Sequence, residues 1–292
     1  FPPFDVFCMH YFAKKRDNTI LKLKPISFAD YCKETNDSIT IVEDHQERPV
    51  YQPEYFPTGQ AKEYKFKSHP IYIAELENVI AHGGSGLVIQ GDKALTDICA
   101  NDVGNRVQYR SGTIKRGNKK HFYVEVTKSI EEIDAAINLC GLAASNYYHL
   151  TFEILSRYSY VKDYIKDEDV PVLLDEDARK YPQYIELIEA VLKDTRIIYI
   201  PQYQRIKCKR LIQPSMNTWM PMNVKKKNDF RIGDNLVAQS AIENIRQAAA
   251  DYIRPRGTKK IFISRKNTSF SRIANEAEVA QLFEENGYEL VC

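Results

Sequence analysis

The stretch VPVLLDEDARKYPQYIELIEAVLKDTRIIYI, residues 170–200, decides the fold. A short apolar run ends at Asp175, a segment with helical spacing of Ile185, Ile188 and Leu192 follows, and a second β-prone run closes at Ile200. Strand, helix and strand in that order make two parallel neighbours with a covering helix. Working outward, further β-prone residues follow at RLIQPS, residues 210–215, and a helix is expected over 146–158 on the other side. SIEEIDAAINL, residues 129–139, also has helical spacing and is expected to be a helix. Alternation of this kind predicts an α/β protein with a mostly parallel sheet between helices.

The flanks read differently. Residues 71–126 alternate short β-prone runs with glycine turns and predict a small antiparallel β-rich layer. Residues 1–70 contain RPVYQPEYFPTG, whose prolines exclude regular helix, and are expected to form an irregular N-terminal arm. A polar segment with a lysine run, residues 223–235, predicts a linker between a domain of residues 71–222 and a second one over 223–292. Within the latter, a helix is expected from about Asn235 to Ile253. A βαβ unit follows: KKIFIS, the helix NEAEVAQLFEEN, the stop Gly287, then YELV. The chain opens on Phe1 and closes just as this last strand has formed, so it reads as an excerpt of a longer protein with its second half incomplete.

Composition bounds the function. The 292 residues, 43% of them hydrophobic, can bury two ordinary cores. With 41 basic against 39 acidic residues, the net charge of +2 gives no general attraction to nucleic acid, so any affinity for phosphate is local. The six cysteines are scattered with no CxxC pair and read as reduced thiols. Neither a membrane-spanning run nor a signal peptide is evident, which makes a soluble protein of a reducing compartment the expectation.

Two places carry chemistry. In NYYHLTFEILSRY, residues 146–158, an α-helical wheel sets Asn146, His149, Glu153 and Arg157 on one narrow stripe of an otherwise aromatic and aliphatic helix. In a cleft, a neutral His149 could take a proton from a hydroxyl, with Glu153 orienting it or holding a sugar hydroxyl. Equally, Asn146 could cap the helix and His149 with Glu153 could be a structural pair. The second place is the loop after KKIFIS. Arg265, Lys266 and Arg272 lie beyond the carboxyl end of a strand and before a helix that starts near Asn275 and Glu276. That position suits a diphosphate, although the arginines could instead be solvated or paired with Glu276 and Glu278. HGGSG, residues 82–86, lacks the ending of a phosphate-binding loop and is expected to be a β-turn. Asp175 and Asp177 are spaced as a D-x-D, yet stand where acids favour a helix start, and capping is the expectation for them.

Together, NYYHLTFEILSRY and IFISRKNTSFSRIANEAEVAQLFEENGYELV resemble the glycosyltransferase family 61 domain, over roughly residues 70–292. The resemblance implies a GT-B-like fold, two Rossmann-like halves facing a cleft. It also implies inverting transfer from a nucleotide sugar, UDP-linked by expectation, to a glycan or lipid-linked saccharide, without a resident cofactor or an obligatory metal. His149 then fits the base, with Asn146 and Glu153 around it. Arg265, Lys266 and Arg272 fit the diphosphate, supported by Asn275 and Glu276. Cell-surface, capsular or lipopolysaccharide synthesis is the implied setting, in the cytoplasm or at the inner face of the membrane with peripheral association. Two rivals stand beside this reading: a metal-dependent transferase using Asp175 and Asp177, and a non-catalytic glycan- or protein-binding module.

Overall fold

The computed structural model describes residues 3–35, 37–51, 63–99, 109–110, 112–165, 169–218, 224–229, 236–252, 257–267 and 273–291. Two compact units divide the chain, Phe1–Ala250 and Asp251–Cys292. The first opens with α1 (Pro3–Lys15), β1 (Asn18–Ile26), α2 (Phe28–Thr35) and β2 (Ser38–Glu43). An antiparallel ribbon of β3 (Glu47–Tyr51) and β4 (Glu63–Lys67) comes next. The strands β5 (Ile71–His82), β6 (Val88–Gln90), β7 (Lys93–Leu95), β8 (Ile114–Gly117) and β9 (Phe122–Thr127) continue the chain. After β10 (Ile130–Asn138) come α3 (Tyr158–Ile165), β11 (Val172–Asp175), α4 (Pro182–Leu192), β12 (Ile197–Ile200), β13 (Arg205–Pro214) and α5 (Gln239–Ala248).

One large mixed sheet organises this unit, in the order β12-β11-β10-β13-β5-β6-β7-β1-β9-β8, with β2 also on β5. The quartet β12-β11-β10-β13 is parallel throughout, as residues 170–200 predict. Strand β11 is buried on both faces, the pattern of a parallel strand covered on each side. Val172 and Leu174 meet Leu150, Ile154, Leu155 and Val161 of the preceding helix and Ile188, Val191 and Leu192 of α4. Leu173 faces the other way, into a second core with Ala74, Leu76 and Leu211.

Three expectations are corrected here. Residues 130–138 form a strand, not a helix. Their acidic side chains pair across the ladder, Glu132 with Lys207 at 3.0 Å and Asp134 with Lys209 at 2.7 Å, while Ala136 and Ile137 are buried. Cross-strand pairing and burial between two neighbours thus override the helical spacing. Residues 71–126 are not a separate layer, because β5 pairs with β13 from His82 to Ile73 and fuses the antiparallel strands to the parallel quartet. The N-terminal stretch, expected to be irregular, contributes β1 to the sheet between β7 and β9. Pro49 sits in the isolated ribbon opposite Lys65, where a missing amide donor is tolerated; residues 52–62 lie outside the described residues.

HGGSG turns β5 back into the antiparallel β6, as expected. This turn carries the β5–β13 pairing into the loop between β12 and β13: Gly83 donates to Gln204 O at 3.1 Å, and Tyr203 donates to Gly83 O at 3.0 Å. A Cβ on Gly83 would lie 2.2 Å from Pro201 O, a backbone atom that cannot step aside. Gly83→Ala is therefore expected to cost about 3 kcal/mol, at the upper end of overpacking effects, measured as a lowered urea midpoint at unchanged slope. A midpoint equal to wild type would contradict this packing.

The second unit contains β14 (Ile261–Ile263), α6 (Glu276–Glu285) and β15 (Glu289–Val291), with the two strands parallel as a βαβ unit requires. Gly287, at φ +79, ends α6. Tyr288 donates to Phe283 O at 3.0 Å and Gly287 to Glu284 O at 2.9 Å, and the Phe283 and Tyr288 rings meet edge to face at 4.9 Å. These are the two hydrogen bonds and the apolar contact of a Schellman stop.

Candidate active site

Strand order defines where a ligand would sit. From β10 the chain moves outward to β11 and β12, then returns to place β13 on β10's other side. The carboxyl ends of β10 and β13 flank this reversal of strand order, the place at which open α/β sheets bind ligands. NYYHLTFEILSRY lies across it. Arg157, buried at 3% exposure, donates through Nη2 to Leu139 O at 3.0 Å and Cys140 O at 3.2 Å, and through Nη1 to Pro214 O at 3.5 Å. One guanidinium thus joins the ends of both strands.

The helix here is not regular. His149–Ile154 is a π-helical turn and Leu155–Arg157 a 3-10 turn, after which α3 begins. The single polar stripe of an ideal wheel is therefore redistributed. Asn146 stands at the start, where its Oδ1 accepts from Tyr148 N at 3.0 Å and His149 N at 3.5 Å, the geometry of an N-cap. Arg157 turns inward to the strand ends. His149 and Glu153 remain together: Nδ1 of His149 lies 2.6 Å from Glu153 Oε2, and Thr218 Oγ1, just past β13, donates to Glu153 Oε1 at 3.3 Å. Wide turns of this kind recur at functional sites.

The pair is a hydrogen-bonded imidazole and carboxylate. With Nδ1–H donating to the carboxylate, the lone pair is on Nε2, which makes no hydrogen bond among the described residues. The ring is 27% exposed. Its hydrogen bond to Glu153 raises the His149 pKa above the ordinary 6.5, against a smaller opposing effect of burial.

Asp175 departs from the capping expectation. Its side chain caps nothing at the following turn; Oδ2 accepts from Gly141 N at 2.7 Å and Oδ1 accepts from Gly84 N. Burial pushes this carboxyl up to about 7, while the two amides and the Arg157 charge pull it down. Asp177 is exposed, so the two acids of the D-x-D have opposite surroundings. Among the described residues, no group of three or more His, Cys, Asp or Glu side chains is arranged to hold a metal ion. A cavity of about 580 Å³ opens at the opposite, amino ends of β11 and β12, beside Val170 and Thr195, away from His149.

In the second unit, Arg265 and Lys266 are exposed directly after β14, and Arg272 lies outside the described residues. Asn275 holds the N-cap position of α6 without a side-chain cap; its Nδ2 donates to Glu278 Oε2 at 3.0 Å. Glu276 binds its own chain, Oε1 accepting from Ser264 Oγ at 2.8 Å and Arg265 N at 2.6 Å. This carboxylate pins the loop to the helix start and occupies one amide that an anion would otherwise use. Thr218, the amide partners of Asp175 and the strand-binding role of Arg157 went unread in the sequence. Only Arg157 had left a signal, as the one cation on an apolar helix.

The aromatic helix start with its His–Glu pair lies at the carboxyl ends of β10 and β13 in an α/β protein with one large mixed sheet. Comparison with protein families gives the Glycosyltransferase 61 model over residues 147–292, half of the 292-residue chain, starting in the helix that carries His149. The chain belongs to glycosyltransferase family 61. No curated protein and no solved structure matches it.

Proposed function

We propose that the protein is an inverting, metal-independent glycosyltransferase that moves a sugar from a nucleotide sugar, UDP-linked in the first instance, to a glycan acceptor. The observation that carries this reading is the His149–Glu153 pair at the β10/β13 switch point. Inversion at an anomeric carbon requires one base to take the acceptor hydroxyl proton as the oxygen attacks opposite the leaving diphosphate. Nε2 of His149 serves as that base, and Glu153 fixes the tautomer and stabilises the imidazolium that forms. Arg265 and Lys266 with Arg272 would meet the charge on the departing diphosphate, and the second βαβ unit would be the donor half of a GT-B-like pair. The metal-dependent rival is disfavoured by Asp175, since each of its carboxylate oxygens already accepts an amide proton. Cell-surface polysaccharide assembly on the cytoplasmic side is the setting proposed.

The test is turnover of a nucleotide-sugar panel in chelator, with the product's anomeric configuration read by NMR. Inverted product at full rate in chelator is expected. Retention, or a rate abolished by chelator and restored by a divalent cation, would overturn the mechanism.

The pH dependence has a definite sign. A base must be unprotonated, so kcat/KM rises with pH through the His149 pKa, which Glu153 holds above the ordinary value. Glu153→Gln removes the raising partner, and its acidic limb is expected to lie at lower pH than wild type, with a lower plateau. A limb that stays in place would detach Glu153 from the base. The same raised pKa means that the charged pair contributes stability below the unfolded value, lost as pH rises through the folded one.

A further inference from the structure

Three tyrosines cluster where the helix start that carries His149 meets the start of α4, without a part in the proton chemistry. Tyr147, two residues before the base, is 60% exposed, and Tyr181, at the start of α4, is 43% exposed. Tyr184 lies between them, its ring centroid 6.2 Å from that of Tyr147 and 5.0 Å from that of Tyr181. Tyr184 is half-buried and fixed by its hydroxyl, which donates to Ser145 O at 3.3 Å in the loop leading to the N-cap Asn146. The ridge is therefore tied to the same loop and helix start that carry the base. Lys180 Nζ stands 5.5 Å from the Tyr181 centroid.

Large exposed aromatic side chains grouped on one surface mark a contact site rather than a solvated face. Tyrosine offers a rigid, flat, amphipathic surface with few rotatable bonds to immobilise. A pyranose presents the complementary chemistry, a face of C–H bonds with hydroxyls around its edge. We propose that Tyr147, Tyr184 and Tyr181 form a stacking platform for the acceptor glycan, delivering its terminal hydroxyl toward Nε2 of His149. The identity of the ligand as acceptor rests on the transferase reading; the platform itself is tested by binding alone.

The experiment is saturation-transfer difference NMR on the wild-type protein with neutral mono- to tetrasaccharides of glucose, galactose, mannose and xylose. Saturable binding is expected, weakened about tenfold or more in Tyr147→Leu/Tyr181→Leu and retained in Tyr147→Phe/Tyr181→Phe, because the ring and not the hydroxyl or bulk apolarity is what stacks. Both positions are exposed, so folding is not at stake in either variant. Absence of saturable binding by wild type, or equal binding by the leucine variant, would overturn the platform. If binding depends on the tyrosines but wild type turns over no nucleotide sugar, the platform stands and the transferase reading falls.

Discussion

His149→Ala is expected to lower kcat for sugar transfer by about 10²- to 10⁴-fold, the range a positioned general base contributes. The size follows from geometry. Among the described residues, His149 carries the Nε2 with no hydrogen-bond partner at the switch point, and its Nδ1 is already committed to Glu153 at 2.6 Å. A base removed from this position leaves water to take the proton without orientation. The acceptor KM should change far less than kcat, since the imidazole acts on one hydroxyl while the rest of the acceptor binds elsewhere. Stability should barely move, because the ring is only partly buried and its loss opens no sealed cavity. Rate loss confined to KM would relocate His149 from chemistry to binding.

Arg157→Ala should be the most destabilising of the substitutions considered, by about 3–5 kcal/mol in urea unfolding. Alanine would take from Leu139 O and Cys140 O the guanidinium donor they now have, in a region closed to water, and leave Pro214 O with Gln213 Nε2 at 2.9 Å. It would also leave a void, since Arg157 is 3% exposed. Arg157→Met restores most of the volume and none of the donors, so it should recover only part of the loss. The guanidinium lies beside acids as well: burial lowers its pKa, and Glu153, Asp175 and Asp97 oppose that shift. Its removal should accordingly depress activity beyond what the lost stability explains, by loosening the strand ends under His149. A loss below about 1 kcal/mol would contradict the role assigned to these three hydrogen bonds.

What could be read in the sequence was local. Residues 170–200 announced parallel strands because their apolar runs and helical spacing are long and unambiguous. Gly287 and Tyr288 announced the end of α6, and the four-residue spacing of His149 and Glu153 survives even the π-helical turn between them. What could not be read depends on partners distant in the chain. Residues 130–138 carry helical spacing yet form a strand because β11 and β13 come to flank it. Asp175 resembled a cap until Gly84, 91 residues away, delivered its amide. The π turn has no sequence signature of its own, so the ideal wheel placed Arg157 on the stripe of His149 where the real backbone turns it inward to Leu139 O and Cys140 O. The resemblance in NYYHLTFEILSRY pointed to the family that the comparison establishes.

The central claim is that His149 deprotonates an acceptor during sugar transfer. Its most direct test is release of nucleoside diphosphate from a nucleotide-sugar panel by wild type and His149→Ala, each in chelator and with an oligosaccharide acceptor present. The account predicts acceptor-dependent release by wild type that falls at least about 10²-fold in the variant. Equal release by both proteins, or none by wild type with any donor, would contradict it.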